Sequence, residues 1–279
     1  MDEPNVVVSG RFDDLRSDDV RFLAEAAKLG PLHVLLWSDE VVRGLKGQNP
    51  KFPEAERQYL LEAIRYVSRV SLCRHPVARD RLCSRYTPCA VADRAQTWVV
   101  HEADDTDAKR AFCHAAGLQY HVLRSEDLSG FPCCPDQPPA SSPRKRVLVT
   151  GCFDWFHSGH VRFFEEVSEL GDVYVVIGHD ANIRLLKGEG HPLFPEQQRR
   201  FLVQSIRYVK QALISTGHGW LDAEPEIRRI KPQVYAVNED GDRPEKQQYC
   251  QSQGIEYRVL KRIPKEGLPG RQSTNLRGF

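Results

Sequence analysis

The chain has 279 residues, of which 41% are hydrophobic and 28% charged, and its formal net charge is +1. This balance suits a soluble globular protein with a sizeable core and offers no general surface for nucleic acid or anionic membrane. No apolar run approaches the roughly 20 residues that cross a bilayer, and Met1-Asp-Glu-Pro-Asn5 lacks the basic start of a secretory signal, so a cytoplasmic location is expected.

The first patterned stretch in chain order is Ser9-Gly-Arg-Phe-Asp13. It recurs as Thr150-Gly-Cys-Phe-Asp154 at an offset of 141, which also carries Asp39 to Asp180 and Lys46 to Lys187. One inserted residue then makes the offset 142, carrying Arg57 to Arg199 and Arg65-Tyr-Val67 to Arg207-Tyr-Val209. Later the offset is 137, carrying Cys113 to Cys250, Gly117 to Gly254 and Tyr120 to Tyr257. Two units of this length are duplicated domains rather than solenoid repeats.

Eight cysteines in such a chain do not imply a disulfide scaffold. Cys73, Cys83 and Cys89 are spaced by ten and six positions, which misses the usual zinc patterns, and reduced, partly buried thiols are expected. Prolines at 132, 135, 138, 139 and 143 mark a linker. The expected division is 1–126, a linker at 127–145, and 146–279.

In the second unit the predicted elements are a strand at 147–150, a helix at 158–169, a strand at 173–177 and a helix at 195–208. A strand at 212–215, a helix at 222–230, a strand at 234–237, a helix at 243–253 and a strand at 257–260 follow. This alternation implies right-handed crossovers and a mostly parallel, doubly wound Rossmann-like sheet in each of two tandem α/β domains. Ligands of such sheets bind beyond the carboxyl ends of the strands. His157 and His160 follow the first strand of the unit, and Asn238, Glu239 and Asp240 follow a later one, so all should reach that edge.

Gly151-Cys-Phe-Asp-Trp-Phe-His-Ser-Gly-His160 reads as a strand end, a glycine turn and a helix start. Free N–H groups and the positive dipole end at a helix start suit an anion, and imidazoles placed there add donors to phosphate oxygens. The segment resembles the signature of the nucleotidyltransferases typified by glycerol-3-phosphate and ethanolamine-phosphate cytidylyltransferases, G-x-F-D-x-x-H-x-G-H. Every fixed position is filled, by Gly151, Phe153, Asp154, His157, Gly159 and His160. The resemblance continues at Lys187 in Leu-Leu-Lys-Gly, at Arg199 before Ile206-Arg-Tyr-Val209, and at Arg271-Gln-Ser273-Thr274.

The resemblance implies attack by a substrate phosphate oxygen on the α-phosphate of a nucleoside triphosphate, with release of pyrophosphate. Positioning and charge stabilisation dominate such a transfer. His157 and His160 would donate to phosphate oxygens, Lys187 would meet them as a mobile charge, and Arg199 would do so as a planar fork. Gly151, Cys152, Phe153 and Gly159 would form the nucleotide turn. Asn238, Asp240, Arg271, Ser273 and Thr274 would line it, and Asp154 would help hold Mg²⁺. Trp220 is balanced between packing and base stacking. The expected substrates are CTP and a phosphorylated small alcohol or polyol. An adenylyltransferase using ATP with a sugar phosphate or pantetheine phosphate is the first alternative, and a nucleotide-binding regulator without turnover the second.

The offset of 141 carries His157, Gly159 and His160 back to Arg16, Asp18 and Asp19. Carboxylates at the phosphate position oppose triphosphate binding, and the first unit has no counterpart of Arg271-x-Ser-Thr, so it is expected to be catalytically silent. Retention of Arg-Tyr-Val in both units suggests an intramolecular pseudo-dimer meeting near Tyr66 and Tyr208.

Overall fold

A computed structural model describes residues 5–74, 79–82, 95–132 and 141–276, without the side chains of residues 95, 96, 274 and 275. The chain divides into two compact units, Met1–Gly130 and Phe131–Phe279. In the first, β1 (Asn5–Gly10), β2 (Leu32–Trp37), β3 (Val67–Cys73), β4 (Ala95–His101) and β5 (Gln119–Leu123) form a parallel sheet in the order β3-β2-β1-β4-β5. Its helices are α1 (Ser17–Ala26), α2 (Asp39–Lys46), α3 (Glu54–Glu62) and α4 (Asp107–Ala116).

The second unit repeats this plan. Its strands are β6 (Arg146–Gly151), β7 (Asp172–Ile177), β8 (Val209–Ile214), β9 (Val234–Asn238) and β10 (Glu256–Leu260), in the order β8-β7-β6-β9-β10 and again all parallel. Its helices are α5 (Ser158–Leu170), α6 (Asp180–Lys187), α7 (Glu196–Gln204), α8 (Glu224–Ile230) and α9 (Pro244–Gln253). Both are doubly wound Rossmann-like sheets, with the order reversing beside the central strand.

The central strands form because both of their faces are covered. Val6, Val7 and Val8, and equally Val147, Leu148 and Val149, are at most 1% exposed, as the strands of a parallel sheet with helices on both sides require. One polar frame is shared as well. Tyr120 donates to Asp105 at 2.9 Å, and Tyr257 donates to Asp242 at 3.0 Å. Lys109 lies over Trp98 and Lys246 over Tyr235, at 5.8 and 5.9 Å from the ring centres.

Two local expectations change. The helix expected to reach residue 208 stops at Gln204, and the next strand begins at Val209 instead of 212. The last turn tightens into i→i−3 bonds, with Ile206 N donating to Val203 O and Val209 N to Ile206 O. Arg207-Tyr208 is therefore the turn between α7 and β8, just as Arg65-Tyr66 lies between α3 and β3. Helix α6 was absent from the sequence reading; His179 starts it, its Nδ1 accepting from Asn182 N at 3.2 Å.

The described ends of the proline-rich segment are held. Arg21 donates to the carbonyls of Asp127 and Gly130, at 3.1 Å each, within the first unit. Within the second, Arg200 donates to Pro132 O at 2.8 Å and Phe131 packs on Phe201. Cys73 is buried and disulfide-bonded rather than a reduced thiol; Cys83 and Cys89 lie outside the described residues. Among the described residues no helix is long and apolar enough to cross a membrane.

Candidate functional site

The site begins where β6 ends. Phe153 sits at φ +51°, a left-handed conformation that a non-glycine residue holds at a cost of about 1–3 kcal/mol. A Cβ on Gly151 would lie 2.8 Å from the Phe153 ring, so glycine lets that ring fold back over the strand end. The ring then packs against His160 and Phe164, with centroids 5.3 Å apart in each case.

Helix α5 starts on the histidine pair. His157 is the N-cap and is fully buried, and its Nδ1 accepts from Gly159 N at 3.1 Å. His160 Nδ1 accepts in turn from His157 N at 3.3 Å, a reciprocal cap made of imidazoles. The rings stack with centroids 4.0 Å apart and planes 24° from parallel. A Cβ on Gly159 would come within 2.9 Å of the His157 ring, so the glycine makes room for that imidazole.

Accepting through Nδ1 assigns the ring proton of both histidines to Nε2. The Nε2 of His157 is buried and has no hydrogen-bond partner among the described residues. Burial first, then the charges of Arg262 and Arg271, pull the pKa of His157 down to about 3. The protein packed around His160, with His157, Arg262 and Lys187, holds that imidazole well below its usual range. Both rings are therefore neutral N–H donors at pH 7.

Several expected residues gather around this pair. Lys187, exposed at the end of α6, is close enough for its charge to act on His160 and Cys152. Cys152 is a free thiol whose pKa is raised, chiefly by burial. Ser273 Oγ donates to Trp155 O at 3.1 Å, tying the C-terminal turn to the glycine turn. Thr274 lies in that turn, but its side chain is outside the description. Gly159, Asn238 and Arg271 line one cavity of about 230 Å³. Asp240 is paired with Arg262.

The sequence reading missed Arg262 and Lys265. Both line that cavity, and Arg262 donates to Arg271 O at 2.9 Å. The available signal was the basic run Lys261-Arg262-Ile-Pro-Lys265 directly after β10, where the chain leaves the ligand-binding edge of the sheet. Trp220 is 52% exposed on the loop after β8, which Asn182 clasps by two hydrogen bonds to Gly219.

One expected role requires correction, and a second residue gains a structural one. Arg199 is 1% exposed and does not offer its fork to a ligand. Its Nε donates to Phe194 O at 2.8 Å, one terminal nitrogen to Cys152 O at 2.7 Å, and the other to Gly178 O at 2.9 Å and Asp180 at 2.6 Å. Arg57 does the same in the first unit, donating to Phe52 O, Arg11 O, Trp37 O and Asp39. Each arginine braces the glycine turn from behind.

Asp154 is likewise committed. Its Oδ1 accepts from Leu193 N at 2.7 Å and from Phe194 N at 3.0 Å. Asp13 accepts from Lys51 N and Phe52 N at 2.9 and 3.0 Å in the first unit, which lacks the histidines. Holding this loop is thus a role the fold needs. Both bonds to Asp154 use Oδ1, and no group of three or more metal-ligating side chains occurs among the described residues.

The first unit keeps the helix cap without the imidazoles. Asp19 accepts from Arg16 N at 2.8 Å, replacing the His160 ring, while Arg16 pairs with Asp14 at 2.5 Å.

The chain is similar in sequence to known proteins. Residues 148–259 match the model of the family described as Cytidylyltransferase-like. The chain is 41% identical over 96 residues to an FAD synthase of Thermococcus kodakarensis, covering 34% of this chain and 62% of that protein. It is 36% identical over 124 residues to an FAD synthase of Ferroglobus placidus, covering 44% and 78% respectively. A lipopolysaccharide core biosynthesis protein from Thermoplasma volcanium superposes with a TM-score of 0.37 at 26% identity, covering 44% of this chain and 98% of that one. With its G-x-F-D-x-x-H-x-G-H turn at the start of α5, the chain belongs to the cytidylyltransferase-like nucleotidyltransferases.

Proposed function

We propose that the second domain is an adenylyltransferase, moving AMP from ATP to a phosphate monoester and releasing pyrophosphate. The observation that carries the transfer is the pair of neutral imidazoles at the start of α5, both accepting through Nδ1, with the Nε2–H of His157 buried and without a partner among the described residues. An acceptor phosphate oxygen attacks the α-phosphorus, the bond to the bridging oxygen breaks, and the electron pair leaves on pyrophosphate. Charge builds on phosphate oxygens during this step. Fixed donors in a site shielded from water stabilise that charge without reorganising. His157 and His160 supply the donors, the free N–H groups of α5 add their dipole end, and Lys187 and Arg271 balance the triphosphate charge. Ser273 and Thr274 belong to the same wall. Because both rings stay neutral, they act as hydrogen-bond donors and not as proton-transferring acids. A magnesium ion carried by the nucleotide would supply further charge neutralisation of the triphosphate.

The choice of ATP over the CTP suggested by the signature rests on the relatives, which are named FAD synthases. FAD joins an adenylate to flavin mononucleotide, so that phosphate ester is the first acceptor to try. The test is pyrophosphate release with each of the four triphosphates against flavin mononucleotide, glycerol 3-phosphate, phosphoethanolamine and pantetheine phosphate. Turnover with ATP supports the reading, and His160→Ala should then lower it by about 10²–10³-fold with the fold intact. Preferential turnover of CTP with an alcohol phosphate returns the reading to cytidylyl transfer. Absence of release with every pair overturns it.

A further inference from the structure

The first domain has lost its phosphate-binding groups, yet its sheet edge has not closed. It holds a cavity of about 660 Å³ against about 230 Å³ beside α5 in the second domain. The residues that line it have changed in a consistent direction. Trp37 closes β2, where Gly178 follows β7. His101 closes β4, where Asn238 closes β9. Asp18 replaces Gly159 on the first turn of the helix. Trp37, His101, Phe22, Asp18 and Lys46 all line the cavity.

The aromatic lining is held in place. Trp37 is half-buried, and its Nε1–H donates to Ser9 Oγ at 2.8 Å, which fixes the plane of the indole. Phe22 packs against His101 with ring centres 6.4 Å apart. Flat walls of this kind stack a planar heterocycle, a contact tolerant of which base is present.

The charges around the cavity are mixed: Arg11, Lys46, Arg79 and Lys109 line it together with Asp18, Asp19 and Asp104. Asp104 pairs with Arg79 at 3.1 Å, and Lys109 donates to the Asp104 carbonyl. Asp19 is occupied in capping the helix. Asp18 is exposed, with no hydrogen bond or ion pair among the described residues, and Lys46 is exposed across the same cavity. A carboxylate accepts and never donates, so Asp18 suits a pair of hydroxyl groups and repels a phosphate at the helix turn where the second domain has Gly159.

We infer that the first domain binds a nucleoside, with its base against Trp37 and Phe22 and its sugar hydroxyls on Asp18. This would make the silent copy a sensor of an unphosphorylated relative of the nucleotides used next door.

The test is calorimetric titration of the full-length protein with adenosine and with cytidine. Binding of at least one nucleoside is expected. Asp18→Asn, a surface change that keeps the fold, should weaken it about tenfold or more, the loss of a charged hydrogen-bond acceptor. Trp37→Leu should weaken it as well, whereas His160→Ala in the second domain should leave it unchanged. Three results overturn the inference: no heat from either nucleoside at about 1 mM, nucleoside binding untouched by Asp18→Asn but lost in His160→Ala, or ATP competing for the Asp18-dependent site as strongly as the nucleoside.

Discussion

The two neutral histidines have a thermodynamic consequence that acid should expose. In the unfolded chain each imidazole titrates near its ordinary value of about 6.5. In the folded domain burial holds His157 at about 3, and His160 well below its usual range. Between these limits the unfolded chain binds the extra protons, so stability rises with pH; it is complete above about 6.5 and is lost as pH falls toward the folded value. From pH 7 to pH 5 the loss is about 2 kcal/mol for His157, because pH 5 lies about 1.5 units below the unfolded value and above its folded value of about 3, and His160 adds to the loss in the same direction. The His157 share alone is a substantial part of the about 5–15 kcal/mol typical of a domain. His33 in the first domain, pushed down to about 4 by burial, behaves similarly but is unaffected by changes at the other pair. The experiment is therefore a difference. Urea unfolding of the wild type and of a His157→Asn, His160→Asn double variant is followed at pH 7 and pH 5, with asparagine chosen because it can still cap the helix. The wild type should lose at least about 2 kcal/mol more than the variant. Equal losses, or ring-proton NMR showing either histidine titrating between pH 6 and 7, would refute the assignment of both as neutral donors.

Three further outcomes follow from the site. Arg199→Ala and Arg57→Ala should each destabilise their own domain by about 3–5 kcal/mol, since each removes one partner of a buried charge network. Lost turnover at unchanged stability in Arg199→Ala would instead return that arginine to the phosphate. Gly159→Ala should leave the unfolding midpoint nearly unchanged but lower turnover at least about tenfold, because its Cβ meets the His157 ring at 2.9 Å and displaces it; normal kinetics would show that the ring position does not matter. Asp154→Asn keeps an oxygen for the two loop N–H groups, so turnover and its dependence on magnesium concentration should stay within about tenfold of wild type. Collapse of magnesium-dependent activity in that variant would make Asp154 a metal ligand after all.

What the sequence determined by itself was local or repeated. The offset of 141 revealed two copies of one unit, and alternating apolar runs gave parallel sheets, because strand and helix periodicities are written in neighbouring residues. Gly151, His157, Gly159 and His160 could be placed at a strand end and a helix start for the same reason. The roles of Arg199 and Asp154 could not be read this way. A lone charge in a motif looks the same whether it meets a ligand or the chain's own carbonyls, and Arg199 reaches Cys152 O across 47 positions. Only folding showed that these two residues brace the turn in both domains, including the one without histidines. Tertiary structure likewise decided the protonation of the imidazoles, which depends on burial and on Arg262, about a hundred positions away in the chain. It also decided the fate of the first copy. From the sequence, Asp18 and Asp19 marked a loss of phosphate binding, whereas the fold gives Asp19 to the helix cap and places Asp18 with Trp37 and Phe22 on the lining of one open cavity. Which groups share a space, and how much water remains among them, is set by packing between distant segments, and that packing is what turns residue types into chemistry.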